Sequence, residues 1–414
     1  MSQPPSEPTP VAGIAGVIAA ISICAIGNGL MFAYVPVRLG AEGFAPTWAG
    51  SILAGLSAGG IAACLLTAWL VRRVGHARSF MVSSTLILLS HLLVATGVEP
   101  MVWIVGRALY GFGICALFIV AQSWLNDASS NDIRGRVMAI FYVSYIVFLG
   151  LGSYLLAWLD IRDGSAPLLC ILFASLSILP VGLTSLRQPP PPVGASIAIR
   201  AAWRISPVAV AGMLAVGGLS MMIAGFAPIH ATAIGYDQQA VATLMFAMPI
   251  GTLLFQLPFG WISDRTDRRY VLFAASALVA IAGICALMFD GSALPLMILI
   301  YLVWSGASDS IYSLSSAHAS DRASKDELVT LSGTLLFLWS VSGFIAPGIG
   351  TILTGFYGTG SFMPVSIVIA VAFCLFVAWR MIRNQPAPPD ETGSFMPISA
   401  QTPLPVGPDE AERP

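Results

Sequence analysis

Long apolar runs, separated by short polar segments, dominate this chain. A helix needs about 20 apolar residues to cross the hydrocarbon core of a bilayer. We predict membrane-spanning helices over residues 11–35, 47–70, 79–97, 101–125, 137–158, 166–186, 207–230, 239–262, 270–289, 294–317, 328–354 and 361–382. Only 9% of the residues are charged, whereas a soluble domain carries about 25%. The fold class is therefore an all-α integral membrane protein with twelve transmembrane helices.

The two halves of the chain repeat each other at an offset of 192 residues. A basic segment at residues 68–78 corresponds to residues 260–270, and Pro36 and Gly43 correspond to Pro228 and Gly235. In an apolar chain, such a repeat is typical of transporters built from duplicated bundles. We predict a disordered N-terminus over 1–10, six-helix bundles over 11–186 and 206–383, a cytoplasmic linker over 187–205 and a disordered tail over 384–414.

The basic residues predict the topology, since Lys and Arg are enriched in cytoplasmic loops. With both termini inside, 16 of the 19 basic residues fall on the inner side, Arg38 and Arg162 fall outside, and Arg107 lies within a span. This distribution predicts an even number of spans with both termini in the cytoplasm. The six cysteines have no spacing typical of a disulfide framework or metal site, and no basic patch with interleaved aromatic residues indicates nucleic-acid binding.

The loop after the eighth predicted span resembles the signature of the major facilitator superfamily, G-x-L-a-D-R-x-G-R-R. It is carried by Gly260, Asp264, Arg265, Arg268 and Arg269, with Asp267 in place of the second glycine. The first-half copy departs further, since Arg72 stands where the aspartate belongs.

Further motifs extend the resemblance over about residues 11–383. The fourth span is similar to the family's R-x-x-q-G-x-g pattern, and other segments resemble the YcaD-like bacterial branch. These motifs are Arg107-x-x-Tyr110-Gly111-x-Gly113, Gly27-Asn28-Gly29-Leu30, Pro36-x-Arg38, Glu42-Gly43-Phe44, Ser123-Trp124-Leu125-Asn126 and Ala346-Pro347. The fifth span lacks the Gly-Pro element typical of drug:proton antiporters. The resemblance implies two pseudo-symmetric six-helix bundles, a central cavity lined by helices 4 and 10, a monomer, a bacterial inner membrane and no cofactor.

Two ionisable residues lie well inside predicted spans, Arg107 in the fourth and Asp309 in the tenth. Intramembrane charges are costly, so both are candidates for a functional role. Asp309 shares one helical face with Ser305, Tyr312 and Ser316, and such a polar stripe must face protein or water. Asp309 is either a clamp between helices or a carboxylate that loads and releases a proton during transport. Arg107 is a fixed counter-charge for packing, an anchor for a substrate anion, or a partner that tunes Asp309 when the cavity narrows.

Other uncharged polar residues are weaker candidates for the cavity, because each also suits a hydrogen bond between helices. These weaker candidates are Asn28, Gln122, Tyr142, Tyr145 and Gln256. Together with Arg107, Asp309 and Tyr312, they form the predicted substrate and proton-coupling site.

Charged residues at the predicted inner loops suggest a gate. Asp264 can accept hydrogen bonds from the start of a neighbouring helix and can pair with arginines. Such a network would hold the inner side closed in the outward-open state and would break when the bundles rock. The predicted gate residues are Arg72, Arg73, Asp127, Asp264, Arg265, Arg268 and Asp321. A role in membrane orientation would explain the same charges.

We predict a secondary transporter of a small organic solute, with an anion or zwitterion favoured as the substrate. Transport is expected to be coupled to protons, and membrane lipids are expected to surround the protein. Alternatives are a proton-driven exporter of lipophilic or cationic compounds and a non-transporting receptor or assembly factor. The sequence contains no phosphate-binding loop, GxSxG or HExxH motif, so we predict neither direct use of ATP nor an enzyme.

Overall fold

A computed structural model describes residues 11–184, 186–189, 197–289 and 291–383. The termini predicted to be disordered, 1–10 and 384–414, lie outside the described residues, as do the prolines of the predicted linker from 190 onward.

Twelve helices of the described chain are long and apolar enough to cross a membrane, which confirms the predicted fold class. Their bounds are α1 Val11–Ala41, α2 Pro46–Val74, α3 His76–Ala95, α4 Pro100–Ala128, α5 Asn131–Leu155, α6 Ser165–Leu176 with a second segment Ile178–Gly182, α7 Pro207–Ala233, α8 Gln238–Ser263, α9 Arg268–Met288, α10 Leu294–Ser320, α11 Lys325–Tyr357 and α12 Phe362–Arg383. Two short turns, Leu156–Trp158 and Thr359–Ser361, follow α5 and precede α12. A linker helix, Ile199–Ile205, precedes α7.

Two differences from the predicted spans lie near prolines. Helix α1 continues through Pro36 to Ala41, although a proline cannot donate a hydrogen bond to the carbonyl one turn earlier. Inside a bilayer, a helix still satisfies more backbone groups than any irregular chain. In α6, Pro180 removes the donor that would bond Leu176, and the helix is interrupted there.

Side-chain caps fix the starts of three helices in the second half. Ser206, Asp237 and Asp267 precede α7, α8 and α9, and each accepts a hydrogen bond from a first-turn backbone N–H. Such caps satisfy donors that have no partner within the helix.

The helices form two bundles with the same internal packing. In the first half the packed pairs are α1 with α5 and α6, α2 with α4, and α3 with α4 and α6; α7–α12 repeat these pairs six helices later. Glycines allow the closest approaches: a Cβ on Gly59 would meet the Ala108 carbonyl of α4, and one on Gly251 would meet the Leu302 carbonyl of α10. Gly59 and Gly251 are separated by the 192-residue offset of the sequence repeat.

The two halves pack through α2 with α11 and α5 with α8. We call the side where α1 begins and α12 ends the terminus-side face, and the other side the opposite face. At the opposite face, Gln238 Nε2 donates a hydrogen bond to the Leu159 carbonyl at 2.6 Å. Gly40 of α1 also lies against Thr232 of α7 there. The halves are therefore joined at the opposite face in this conformation.

Candidate functional site

A central cavity of about 230 Å³ lies between the two halves. Both bundles line it, through α1, α2, α4 and α5 on one side and α7, α8, α10 and α11 on the other. Most of the lining is apolar, and Asp309 is the only carboxylate among the residues described around it. A concave, mostly apolar space with a few polar groups is the usual form of a small-molecule site.

Asp309 is held by two hydroxyl groups from neighbouring helices. Ser220 Oγ of α7 donates to Oδ1 at 2.7 Å, and Thr252 Oγ1 of α8 donates to Oδ2 at 2.7 Å. No ion pair to Asp309 occurs among the described side chains. Hydroxyl donors, rather than a fixed cation, therefore support this carboxylate.

Thr252 has a second acceptor within reach. Its Oγ1 lies 3.3 Å from the Met248 carbonyl of its own helix, in addition to the contact with Asp309. One hydroxyl hydrogen can serve only one acceptor at full strength, while the oxygen can also accept. If Asp309 carries a proton, it can donate to Thr252, which then donates to Met248. The geometry accommodates the carboxyl group in both protonation states.

Several predicted site residues surround the same cavity. Ser305 and Tyr312 of α10 line it with Asp309, and the lining also contains Tyr142, Tyr145 and Gln256. Gln256 Nε2 donates to Ser313 Oγ at 3.0 Å, which joins α8 to α10. Thus part of the predicted polar stripe faces the cavity, and Gln256 also connects two helices.

Arg107 is buried in the first bundle, outside the cavity lining. Its guanidinium lies 4.1 Å from the ring centre of Tyr110 and 4.9 Å from that of Phe32. Both rings do line the cavity, so they stand between the guanidinium and the central space. Arg107 Nη1 is buried without a hydrogen-bond partner, and the neighbouring His91 has neither ring nitrogen bonded.

The remaining two predicted cavity residues are fully buried within the first bundle. Asn28 Nδ2 lies 3.7 Å from Cys24 Sγ, one helical turn earlier in α1. Gln122 is buried in α4 and is not among the residues that line the cavity.

The predicted gate residues fall into two groups. At the terminus-side face of the second half, Arg268 Nε pairs with Asp321 Oδ2 at 2.6 Å, and its Nη1 lies 3.4 Å from Asp264 Oδ1. This cluster joins the ends of α8, α9 and α10 within one bundle.

The other predicted gate residues are exposed at the same face. The guanidinium of Arg73 lies 5.5 Å from the ring centre of Trp69, and that of Arg265 lies 4.0 Å from the ring centre of Trp261. Arg72 and Asp127 are exposed near the ends of α2 and α4. In this conformation they form no ion pair among the described side chains.

Sequence reasoning missed Ser220 and Thr252, the two partners of Asp309. The internal repeat carried a signal for both, because the 192-residue offset relates Ser220 to the predicted cavity residue Asn28. It also relates Thr252 to Gly60, which lines the cavity from the other half.

Twelve membrane helices in two repeated bundles around a central cavity define a polytopic membrane protein with a transporter architecture. The family model of the Major Facilitator Superfamily matches residues 16–208 and 208–406. The chain belongs to this superfamily, as the loop motif predicted, and is a transporter homologue rather than an enzyme.

Among curated relatives, the uncharacterized MFS-type transporter YcaD of Escherichia fergusonii is 23% identical over 326 residues, covering 78% of this chain and 84% of the relative. The nucleoside transporter NupG superposes with a TM-score of 0.70 at 12% identity, covering 89% of this chain and 99% of that one. A D-xylose–proton symporter superposes with a TM-score of 0.67 at 13% identity, covering 89% and 96%. At these identities, the structural likeness concerns the fold.

Proposed function

We propose that this protein is a secondary active transporter that moves a small organic solute by alternating access, with proton coupling at Asp309. The observation that carries the proposal is the position of Asp309, the only carboxylate among the described residues of the cavity wall, between Ser220 and Thr252. Each hydroxyl comes from a different helix, so rearrangement of α7 or α8 would change how well the ionised carboxylate is supported.

Alternating access requires the halves to separate at one face while they close at the other. The contact of Gln238 with the segment that follows α5 supports a conformation closed at the opposite face. The predicted bias of basic residues toward the terminus-side face supports a cytoplasmic location for both termini, in a bacterial inner membrane. In the reverse conformation, we expect the exposed gate residues Arg72, Arg73, Asp127 and Arg265 to approach the other half.

An anion or zwitterion is the favoured substrate class because Arg107 has an unpaired Nη1 close behind the cavity wall. Its acidic group would reach Arg107 once Phe32 and Tyr110 turn aside, while an amine or a proton meets Asp309. The alternative is export of lipophilic or cationic compounds. One observation supports this alternative: Asp309 and an apolar lining that includes Met221, Met245 and Met248 face the cavity directly.

The two substrate classes can be separated by thermal stabilisation of the purified protein, since a ligand that binds the native state raises its apparent stability. We would screen organic acids, amino acids, sugars and hydrophobic cations at two pH values. Anion or zwitterion hits that disappear in Arg107→Ala support the favoured class. Cation or lipophilic hits that disappear in Asp309→Asn support the exporter.

Flux in proteoliposomes then tests transport itself. Substrate-dependent and pH-dependent flux is expected. Absence of flux for every compound that binds would favour the third possibility, a receptor or assembly factor that retains the fold without transport.

A further inference from the structure

A second cavity, of about 270 Å³, lies at the terminus-side end of the second bundle, apart from the central cavity. The linker helix and the ends of α7, α9, α10 and α12 enclose it. Its polar lining consists of Arg204, Ser206, Arg269, His318, Arg322 and Arg380. Four guanidinium groups thus face one enclosed space, and none of their residues belongs to the predicted transport site or gate.

Only one of these arginines forms an ion pair with a described carboxylate. Arg269 Nη2 pairs with Asp267 Oδ2 at 2.6 Å. Partial burial acts to raise the pKa of Asp267, but the hydrogen bonds and charge of Arg269 outweigh it and hold that pKa below its ordinary value. The nearby Asp321 is already paired with Arg268. Asp321 and Asp267 are therefore each already paired with another arginine, although their charges also act on Arg322.

The other three arginines form no ion pair among the described side chains. Arg322 Nη1 lies 2.9 Å from His318 Nδ1 and donates to the His318 carbonyl at 3.2 Å. Arg380 Nε is buried without any hydrogen-bond partner. Nearby carboxylates act on Arg322 and Arg204 without forming an ion pair with them, so the guanidinium groups keep several donors for a further anion.

The start of α7 adds a favourable field. Ser206 caps this 27-residue helix, and Pro207 and Val208 of its first turn form part of the cavity wall. Helix N-termini carry partial positive charge and bind phosphate and similar anions. The guanidinium cluster and the start of α7 therefore both favour a negatively charged ligand.

A row of three aromatic rings lies beside the arginines of the cavity. Trp203 of the linker helix, next to Arg204, lies 6.1 Å from Phe376, which lies 5.8 Å from Trp379, next to Arg380. Trp203 and Trp379 are 46% and 43% exposed. Exposed tryptophans beside arginines at helix ends are typical of the membrane–water interface.

We propose that this cavity binds a phosphate group, held by Arg204, Arg322 and Arg380 at the start of α7. The aromatic row makes the headgroup of an anionic phospholipid the expected source, and a soluble phosphate is the other source of the same chemistry. A bound phosphate would join the linker helix to α7, α10 and α12. This site is independent of the proposed transport mechanism.

The test uses the purified full-length chain after removal of bound lipid. Native mass spectrometry would measure binding of phosphatidylglycerol and of phosphatidylcholine, and calorimetry would measure binding of inorganic phosphate and pyrophosphate. Saturable binding of phosphatidylglycerol over phosphatidylcholine supports the lipid source, and saturable binding of the soluble anions alone supports the soluble source. If neither class binds saturably, the proposal is wrong.

Variants of the arginines test whether the ligand binds in this cavity. Arg322→Gln, Arg380→Gln and Arg204→Gln should each weaken binding about tenfold or more, because each removes a charge-assisted contact. Arg200→Gln is the matched control, an exposed arginine one helical turn before Arg204, and should leave binding unchanged. An equal loss in Arg200→Gln would mean general surface attraction and would overturn the proposal. Because three separate positions are tested, misfolding of one variant leaves the other two to decide.

Discussion

Replacing Asp321 with asparagine tests whether the Arg268 cluster stabilises the second bundle. The side chains of Arg268 and Asp321 are only 2% and 4% exposed, and their closest atoms are 2.6 Å apart. Removing one partner of a buried ion pair costs about 3–5 kcal/mol, because the other charge stays buried. Arg268 keeps Asp264 at 3.4 Å, so we expect the lower end, about 3 kcal/mol, or roughly a hundredfold change in the unfolding constant.

The assay is reversible unfolding in mixed micelles with increasing sodium dodecyl sulfate. The double variant Asp321→Asn with Arg268→Gln should recover much of the lost stability, since it also removes the guanidinium that Asp321→Asn alone leaves without its main partner. Asp163→Asn, in an exposed loop, is the control and should leave the unfolding curve unchanged. A loss below about 1 kcal/mol for Asp321→Asn would refute the reasoning, because that value is typical of solvated surface pairs.

Two further predictions concern the packing of the helices. Gly59→Ala should lower the melting temperature because its Cβ would meet the Ala108 carbonyl, whereas Gly348→Ala, which has open space for a Cβ, should not; equal effects would contradict the close-approach argument. Gln238→Leu removes the hydrogen bonds that join the halves at the opposite face, so spin-label distances across that face should lengthen on average. The exposed Gln239→Leu is the control, and an unchanged distance distribution in both variants would show that Gln238 does not hold this face closed.

Periodicity and hydropathy are enough to predict most of this fold, because a bilayer permits few alternatives to helices of about 20 apolar residues. The polar stripe of α10 followed from helical spacing alone, and Ser305, Asp309 and Tyr312 do face one cavity. The interruption of α6 follows from the missing N–H of Pro180, whereas the extension of α1 past Pro36 depends on its surroundings, which spacing along one helix cannot reveal.

The contacts between helices at the site could not be predicted from the sequence. Spacing could not show that Ser220 and Thr252 bind Asp309, because the three residues lie on three different helices. Nor could it show that Phe32 and Tyr110 cover Arg107, since Phe32 comes from α1. A charge inside a span was recognisable from sequence, but the side chains around it were not.

The most direct test of the proposed mechanism is proton-driven flux by Asp309→Asn in proteoliposomes, with a substrate identified by the stability screen. Asparagine keeps the size of the side chain and can still hydrogen-bond Ser220 and Thr252, but it cannot exchange a proton. The account predicts that Asp309→Asn binds substrate, loses accumulation driven by a proton gradient and loses the pH dependence of flux, while Asp163→Asn behaves like the wild type. Wild-type, pH-dependent, gradient-driven flux in Asp309→Asn would contradict it and make Asp309 a structural residue.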